Sequence, residues 1–74
     1  MNVKNPSNSD RKNIKAILKE NGIINISMKK DEWYIVVHYH PAIVSILLSV
    51  GYDLENESDN IIYIYIPRNM KRFK

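Results

Sequence analysis

Tyrosines occupy one face of two segments of this sequence that are predicted to be strands. Tyr34 lies in residues 32–39, and Tyr63 and Tyr65 lie in residues 61–66. Because successive side chains of a strand point to opposite faces, these three tyrosines share one face of the predicted sheet. Rings on an open sheet face stack the bases of single-stranded nucleic acid, and each stacked base contributes about 1–3 kcal/mol.

The tyrosines have two further interpretations. Tyrosine is enriched in protein interfaces and large apolar patches tend to be covered, so the face could bind a partner protein or a second copy of the chain. Tyrosine also favours strands and tolerates half-exposure, so the face could have no binding role. Salt separates the two binding modes, because nucleic-acid binding weakens steeply as salt rises.

Basic, amide and histidine side chains complete the predicted binding site. Its members are Asn25, Lys29, Lys30, Tyr34, His38, Tyr63, Tyr65, Arg68, Lys71 and Arg72. A second basic surface consists of Arg11, Lys12, Lys15 and Lys19 in the first predicted helix. It could contact phosphates, or it could be the solvated face of an amphipathic helix. If both helices lie behind the sheet, the two surfaces do not form one footprint unless the tail from residue 68 wraps to the front.

His38 and His40 have the spacing at which two imidazoles on one strand face can share a metal ion. Protein zinc sites use three or four side-chain ligands. The sequence has no cysteine, and its acidic cluster lies in a different predicted loop. The pair is therefore interpreted as surface histidines at a strand end, and no metal or cofactor is predicted.

The sequence does not predict an enzyme. Four of its eight acidic residues cluster at positions 53–59, where no apolar pocket is evident to prepare them for acid–base catalysis. The only two glycines, Gly22 and Gly51, are interpreted as helix stops, so no glycine loop is left to bind phosphate. Ser45 and Ser49 lie in a predicted helix without the glycine elbow of serine hydrolases.

Composition limits the class of protein. Hydrophobic residues make up 45% and charged residues 26% of the 74 residues, as in one small globular domain. The net charge of +3 allows an anionic partner without requiring one. Cysteine is absent, and neither a signal region nor a bilayer-spanning apolar run is evident, so we expect a cytoplasmic protein with no membrane partner.

Apolar periodicity predicts two helices and four strands. The first helix begins at Ser9 or Asp10 and ends near Asn21. The second helix runs from Pro41 to Val50. The strands cover residues 23–29, 32–39, 52–54 and 61–66, and residues 55–60 form a polar loop.

A tight turn at residues 30–31 is predicted to set Met28 opposite Trp33 and Ile24 opposite Val37. After the second helix, Tyr52 and Leu54 are expected to point inward. The predicted core comprises Ile14, Ile17, Leu18, Ile24, Ile26, Met28, Trp33, Ile35, Val37, Ile43, Ile46, Leu47, Val50, Leu54, Ile62, Ile64 and Ile66.

The pattern I-x-x-I-L-x-x-x-G begins at both Ile14 and Ile43, which predicts a repeat with halves at about 10–39 and 40–67. The predicted fold class is α+β, an α-β-β-α-β-β pseudo-repeat with a four-stranded, mainly antiparallel sheet and two helices on one face. A flexible arm (1–8) and a basic tail (68–74) flank the single domain at 9–67.

These patterns together predict a small non-catalytic binding module. Nucleic acid is the first-choice partner, because it would use both the tyrosines and the basic excess. The alternative is a protein–protein interaction module, either a homodimer or a small inhibitor or adaptor of a larger assembly.

Overall fold

The computed structural model describes residues 3–58 and 60–68, with Glu57 described by its backbone alone. Within these residues the protein is a small α+β fold with two helices and an open antiparallel sheet of five strands. The elements in chain order are β1 (Val3–Lys4), α1 (Asn8–Glu20), β2 (Met28–Lys30), β3 (Ile35–His38), α2 (Pro41–Val50), β4 (Asp53–Ser58) and β5 (Ile61–Pro67).

Ser7 caps α1 through a reciprocal pair of hydrogen bonds. The backbone N–H of Asp10 donates to the Ser7 hydroxyl at 3.2 Å, and the backbone N–H of Ser7 donates to the Asp10 carboxylate at 2.9 Å. This capping box satisfies two N–H groups at the helix start. The prediction that Ser9 or Asp10 caps the helix is wrong, because both residues already lie in its first turn.

His40 and Pro41 define the start of α2. Proline fits the first helical position, where its missing N–H costs nothing. The backbone N–H of Ala42 donates to Nδ1 of His40 at 3.1 Å, so the imidazole takes the capping role that serine or aspartate usually has. The predicted helix from Pro41 to Val50 is confirmed.

Both helices end where a glycine adopts a left-handed conformation, with φ +83° at Gly22 and +114° at Gly51. The residue after each glycine donates its backbone N–H to a carbonyl near the helix end, at 2.9 Å for Ile23 and 3.0 Å for Tyr52. These bonds satisfy helix carbonyls and reverse the chain. At the second helix, the reversal directs Tyr52 into the core, where it is 4% exposed.

The strand β5 lies at the centre of the sheet. It pairs with β3, with β4 and, at its end, with β1. The strand β2 extends the sheet beyond β3, so the four longer strands lie in the order β2-β3-β5-β4. Among the described strands, β2 and β4 each pair with one other strand.

The core lies between the helices and one face of the sheet. Its buried residues are Ile14, Leu18, Ile35, Val37, Ile43, Leu47, Tyr52, Ile62, Ile64 and Ile66. Burying such a side chain contributes about 1.5–3 kcal/mol relative to leaving it in water. The predicted core residues that are partly buried against this cluster are Ile17, Ile26, Met28, Ile46, Val50 and Leu54.

The β2–β3 hairpin differs from its prediction. Met28 pairs with Val37 rather than with Trp33. The turn lies further along the chain than predicted, because the backbone N–H of Asp31 donates to the Tyr34 carbonyl at 2.9 Å and residues 32–33, not 30–31, connect the two strands. The register shifts by an even number of residues, so the apolar faces still match. Trp33, however, falls in the turn and is 49% exposed rather than in the core.

Residues 23–27 do not form the strand that their alternation predicts. Asn25 has a φ of +61°, which interrupts an extended backbone. The strand β2 is therefore only three residues long. Ile24 is 62% exposed, so its predicted place in the core is also wrong.

The second half of the sheet is larger than predicted. Most of the predicted loop at 55–60 belongs to β4, which pairs with β5 and has a bulge between Asn56 and Ser58. Residues 3–4 of the predicted arm form β1, so the sheet has five strands and not four. The pseudo-repeat is not confirmed, because residues 21–27 separate α1 from β2 but only residues 51–52 separate α2 from β4.

Neither of the two described helices is long and apolar enough to cross a membrane. Of the predicted basic tail, Arg68 is described and residues 69–74 lie outside the described part of the chain.

Candidate functional site

The sheet face opposite the core brings the three tyrosines together. Tyr34 and Tyr63 stack with ring centroids 4.0 Å apart and ring planes 13° from parallel. Tyr65 meets Tyr34 edge-on, with a centroid distance of 5.9 Å and an angle of 70°. Such pairs contribute about 0.5–1.5 kcal/mol each beyond the area that they bury. These rings and the half-buried Val36 and Ile61 on the same side of the sheet form a surface that we call the tyrosine face.

Tyr34 is less acidic than a free tyrosine. Hydrogen bonding with the Tyr63 side chain, followed by desolvation and then by electrostatic interaction with Tyr63, Asp31 and Tyr65, raises the pKa of Tyr34 to about 12. Tyr34 therefore remains a neutral phenol across the physiological pH range, able to donate and accept a hydrogen bond.

Carboxylates border the tyrosines on β4. Glu55 pairs with Tyr63 and Asp53 pairs with Tyr65, so both acids project from the tyrosine face. The Tyr65 hydroxyl donates to Oε1 of Glu55 at 3.3 Å. Neither acid was among the predicted site residues, because Asp53 was predicted in the strand at 52–54 without a role and Glu55 in the loop at 55–60. The alternation of Asp53 and Glu55 about the apolar Leu54 is the signal that would have extended that strand to Glu55.

Lys29 lies at the opposite edge of the same face. It pairs with Val36, which pairs with Tyr63, which pairs with Glu55. These four residues form one row across the sheet, with an ammonium group at one end and a carboxylate at the other. Three strand spacings of about 4.8 Å separate their backbones, or about 14 Å.

Other predicted site residues lie on different surfaces. His38 is exposed and pairs with Ile61, which places it at the margin of the tyrosine face. Lys30 pairs with Ile35 and therefore projects from the other side of the sheet. Asn25 lies in the loop before β2, beside a small apolar hollow of about 200 Å³ against α1.

The remaining basic residues that the structure describes do not lie on the tyrosine face. Nε of Arg68 donates to the Val3 carbonyl at 3.2 Å, and the Arg68 side chain lines a groove on the helix side of the molecule. Lys71 and Arg72 lie outside the described residues. The second basic surface, Arg11, Lys12, Lys15 and Lys19, lies on α1, whose Ile14 and Leu18 pack against the opposite face of the sheet.

His38 and His40 have different roles in the structure. Nδ1 of His40 accepts the capping hydrogen bond from Ala42, which leaves Nε2 as its remaining ring nitrogen for any ligand. The described residues include no group of three or more histidine, cysteine, aspartate or glutamate side chains that could hold a metal ion.

The groove on the helix side has a volume of about 760 Å³ and lies between α1, the end of α2 and the end of β5. Desolvation, and then the negative charge of Asp10, raise the pKa of Tyr52, which lines it. Nζ of Lys4 lies 3.6 Å from Oδ2 of Asp10 on the same groove. Opposite charges are thus paired along this groove, and it does not present a single-sign surface to a ligand.

Among known proteins, no family model, no curated protein and no solved structure matches the chain. A fold of this kind does not determine function, so the inference of function rests on the tyrosine face itself.

Proposed function

We propose that this chain is a small non-catalytic binding module that docks on a partner protein through its tyrosine face. The observation that carries this proposal is the three-ring cluster of Tyr34, Tyr63 and Tyr65, which lies on the sheet face away from both helices. Rigid aromatic rings with polar ends are the side chains that contribute most at protein interfaces. Half-buried Val36 and Ile61 add apolar area to the same face.

The charges around the rings favour a protein partner over nucleic acid. Asp53 and Glu55 project beside Tyr65 and Tyr63, where the phosphates of a stacked strand would be repelled. The stacked surfaces of Tyr34 and Tyr63 already contact each other, so no base can enter between them without separating the pair. The basic side chains of α1 belong to the opposite layer and would not add to the same footprint.

The absence of catalysis is part of the same proposal. The carboxylates Asp53 and Glu55 are exposed on a strand, and Glu55 is hydrogen-bonded to the Tyr65 hydroxyl. An apolar pocket of the kind that prepares a carboxyl group for proton transfer does not surround them.

A photo-crosslinking amino acid at His38 tests the proposal, because this exposed residue lies at the margin of the tyrosine face. The control places the same group at Lys15, on the opposite layer. In the cells that produce the protein, we expect nuclease-resistant protein adducts from position 38 and not from position 15. Tyr63→Ala with Tyr65→Ala should abolish them.

Two outcomes would contradict the proposal. Nuclease-sensitive adducts from position 38 would identify nucleic acid as the partner. Equal protein adducts from positions 38 and 15 would show that the tyrosine face has no special role. Tyr65→Phe serves as the matched control, because it keeps the ring and removes only the hydroxyl that donates to Glu55.

A further inference from the structure

We infer that the tyrosine face binds a second copy of this chain, about a twofold axis parallel to the strands that sets Lys29 of each copy against Glu55 of the other. This inference rests on the proposed function and names its partner. The decisive observation is the row from Lys29 through Val36 and Tyr63 to Glu55, which carries opposite charges at its two ends.

Symmetry determines which residues meet. A closed dimer brings the same surface of both copies together, so residue i of one contacts residue j of the other and the reverse. An axis parallel to the strands exchanges the two edges of the sheet and leaves the position along the strand unchanged. Lys29 and Glu55 lie in the same row, so this rotation superimposes the ammonium edge of one copy on the carboxylate edge of the other.

The other twofold arrangement gives Lys29 and Glu55 no opposite charge to meet. An axis parallel to the sheet plane but perpendicular to the strands places each edge of one sheet over the same edge of the other copy's sheet. Glu55 would then oppose Glu55, and Lys29 would oppose Lys29. Like charges placed directly opposite each other across an interface destabilise it. Aligned sheets pack about 10 Å apart, a distance that lysine and glutamate side chains can bridge.

The axis passes through the middle of the aromatic surface. In the order β2-β3-β5-β4 the centre lies between β3, which directly follows Tyr34, and β5, which carries Tyr63. The stacked rings of the two copies would thus meet at the dimer centre, where the residues that contribute most to binding are usually found. Lys29 of one copy and Glu55 of the other would flank these rings at both edges of the paired sheets.

The size of the face sets the expected affinity. Four strands at about 4.8 Å and six residues at about 3.4 Å give a patch of roughly 19 by 20 Å, or about 400 Å² in projection. A standard interface buries about 800 Å² on each partner, so the dimer should be weak, with a dissociation constant in the micromolar range at about 1–100 μM.

One contact in this arrangement is unfavourable, and it provides an independent check. The same rotation brings Asp53 toward the β2–β3 turn, which carries Asp31. These are like charges, so Asp53→Asn should tighten the dimer by a few-fold, about 2–5 times. Asp53→Asn should not change an association that uses any other surface.

A charge exchange tests the inference, with the dimer dissociation constant measured by sedimentation equilibrium. Lys29→Glu and Glu55→Lys should each weaken association by about tenfold, and the double variant should recover to within about threefold of the natural chain. Lys29 and Glu55 lie on opposite edges within one copy, so they cannot restore each other internally. Lys15→Glu on α1 is the control and should have no effect.

Circular dichroism of each variant separates a loss of contact from a loss of fold. A natural chain that stays monomeric at about 1 mM would overturn the inference, since this concentration is far above the expected dissociation constant. A folded double variant that fails to recover would also overturn it. In either case, protein adducts that persist at position 38 would leave the proposed function standing and exclude only the second copy as the partner.

Discussion

Replacing Gly51 with L-alanine and, separately, with D-alanine isolates the backbone requirement at the end of α2. Gly51 has a φ of +114°, and a Cβ added in the L configuration would meet no atom within 4 Å. The L-alanine variant therefore has no steric contact to relieve, and its cost is the positive φ alone. That cost is about 1–2 kcal/mol.

The D-alanine variant should change stability in the opposite direction. D-residues favour positive φ, so the substitution restricts the unfolded chain and keeps the backbone conformation that Gly51 has in the folded one. Such a restriction contributes about 0.4–1 kcal/mol. A chain of this size has a free energy of unfolding of about 4–11 kcal/mol, so the difference between the two variants is a large fraction of it.

Chemical synthesis gives access to both variants, and thermal unfolding followed by circular dichroism measures them. Each 1 kcal/mol should move Tm by about 4–8 °C in a domain of this length. The L-alanine variant should melt below the natural chain, and the D-alanine variant at or above it. Equal Tm values for the two variants would refute the reasoning, because chirality matters only if the positive φ is required. Gly22, with a φ of +83°, provides a second site for the same comparison.

Three further predictions concern stability and titration. His40→Ala removes the acceptor for the Ala42 N–H and should lower the free energy of unfolding by about 0.5–2 kcal/mol, whereas His40→Asp keeps an acceptor and should stay near the natural value in urea denaturation. Leu47→Ala should cost about 2–5 kcal/mol in the same assay. Leu48→Ala, at a neighbouring residue that is 55% exposed, should cost less than about 0.5 kcal/mol. Equal losses of stability in the two variants would contradict the assigned core. Because the pKa of Tyr34 is raised to about 12, its neutral hydroxyl should stabilise the fold below pH 10, and this contribution should be lost as the pH rises to about 12. Tyr34→Phe should remove one high-pH step from an ultraviolet phenolate titration, and a variant that loses only a step near pH 10 would contradict the raised pKa of Tyr34.

Local signals in the sequence were sufficient to predict a helix or strand where residues at its ends or its apolar alternation are characteristic of that element. The second helix has Pro41 at its start and Gly51 at its end, and both bounds agree with the structure. The strand β5 was predicted from the strict alternation of isoleucine and tyrosine, and its even-numbered isoleucines are buried. The same alternation put Tyr63 and Tyr65 on one face, where the structure brings Tyr34 to them.

Features that depend on a distant partner could not be predicted in this way. Residues 3–4 become a strand only because β5 offers them Ile66 and Pro67. The polar sequence of β4 lacks a strong strand signal and is extended because it pairs with β5. The loop around Asn25 shows the reverse case, since its residues alternate as a strand would, but one left-handed residue breaks the extended chain. Glu55, beside Tyr63, was missed for the same reason as most of β4, whereas Asp53 lay in the strand predicted at 52–54.

The position of β5 controls the folding rate of the chain. The hairpin of β4 and β5 joins near neighbours in sequence and can form early. The pairing of β5 with β3, and above all of Ile66 with Lys4, closes long loops whose entropy must be lost first. Domains that mix helices with such non-local pairings fold more slowly than helical bundles, which take microseconds to milliseconds. Until β3 has paired with β5, the apolar side chains of the core have no partner, so refolding yield should fall as protein concentration rises.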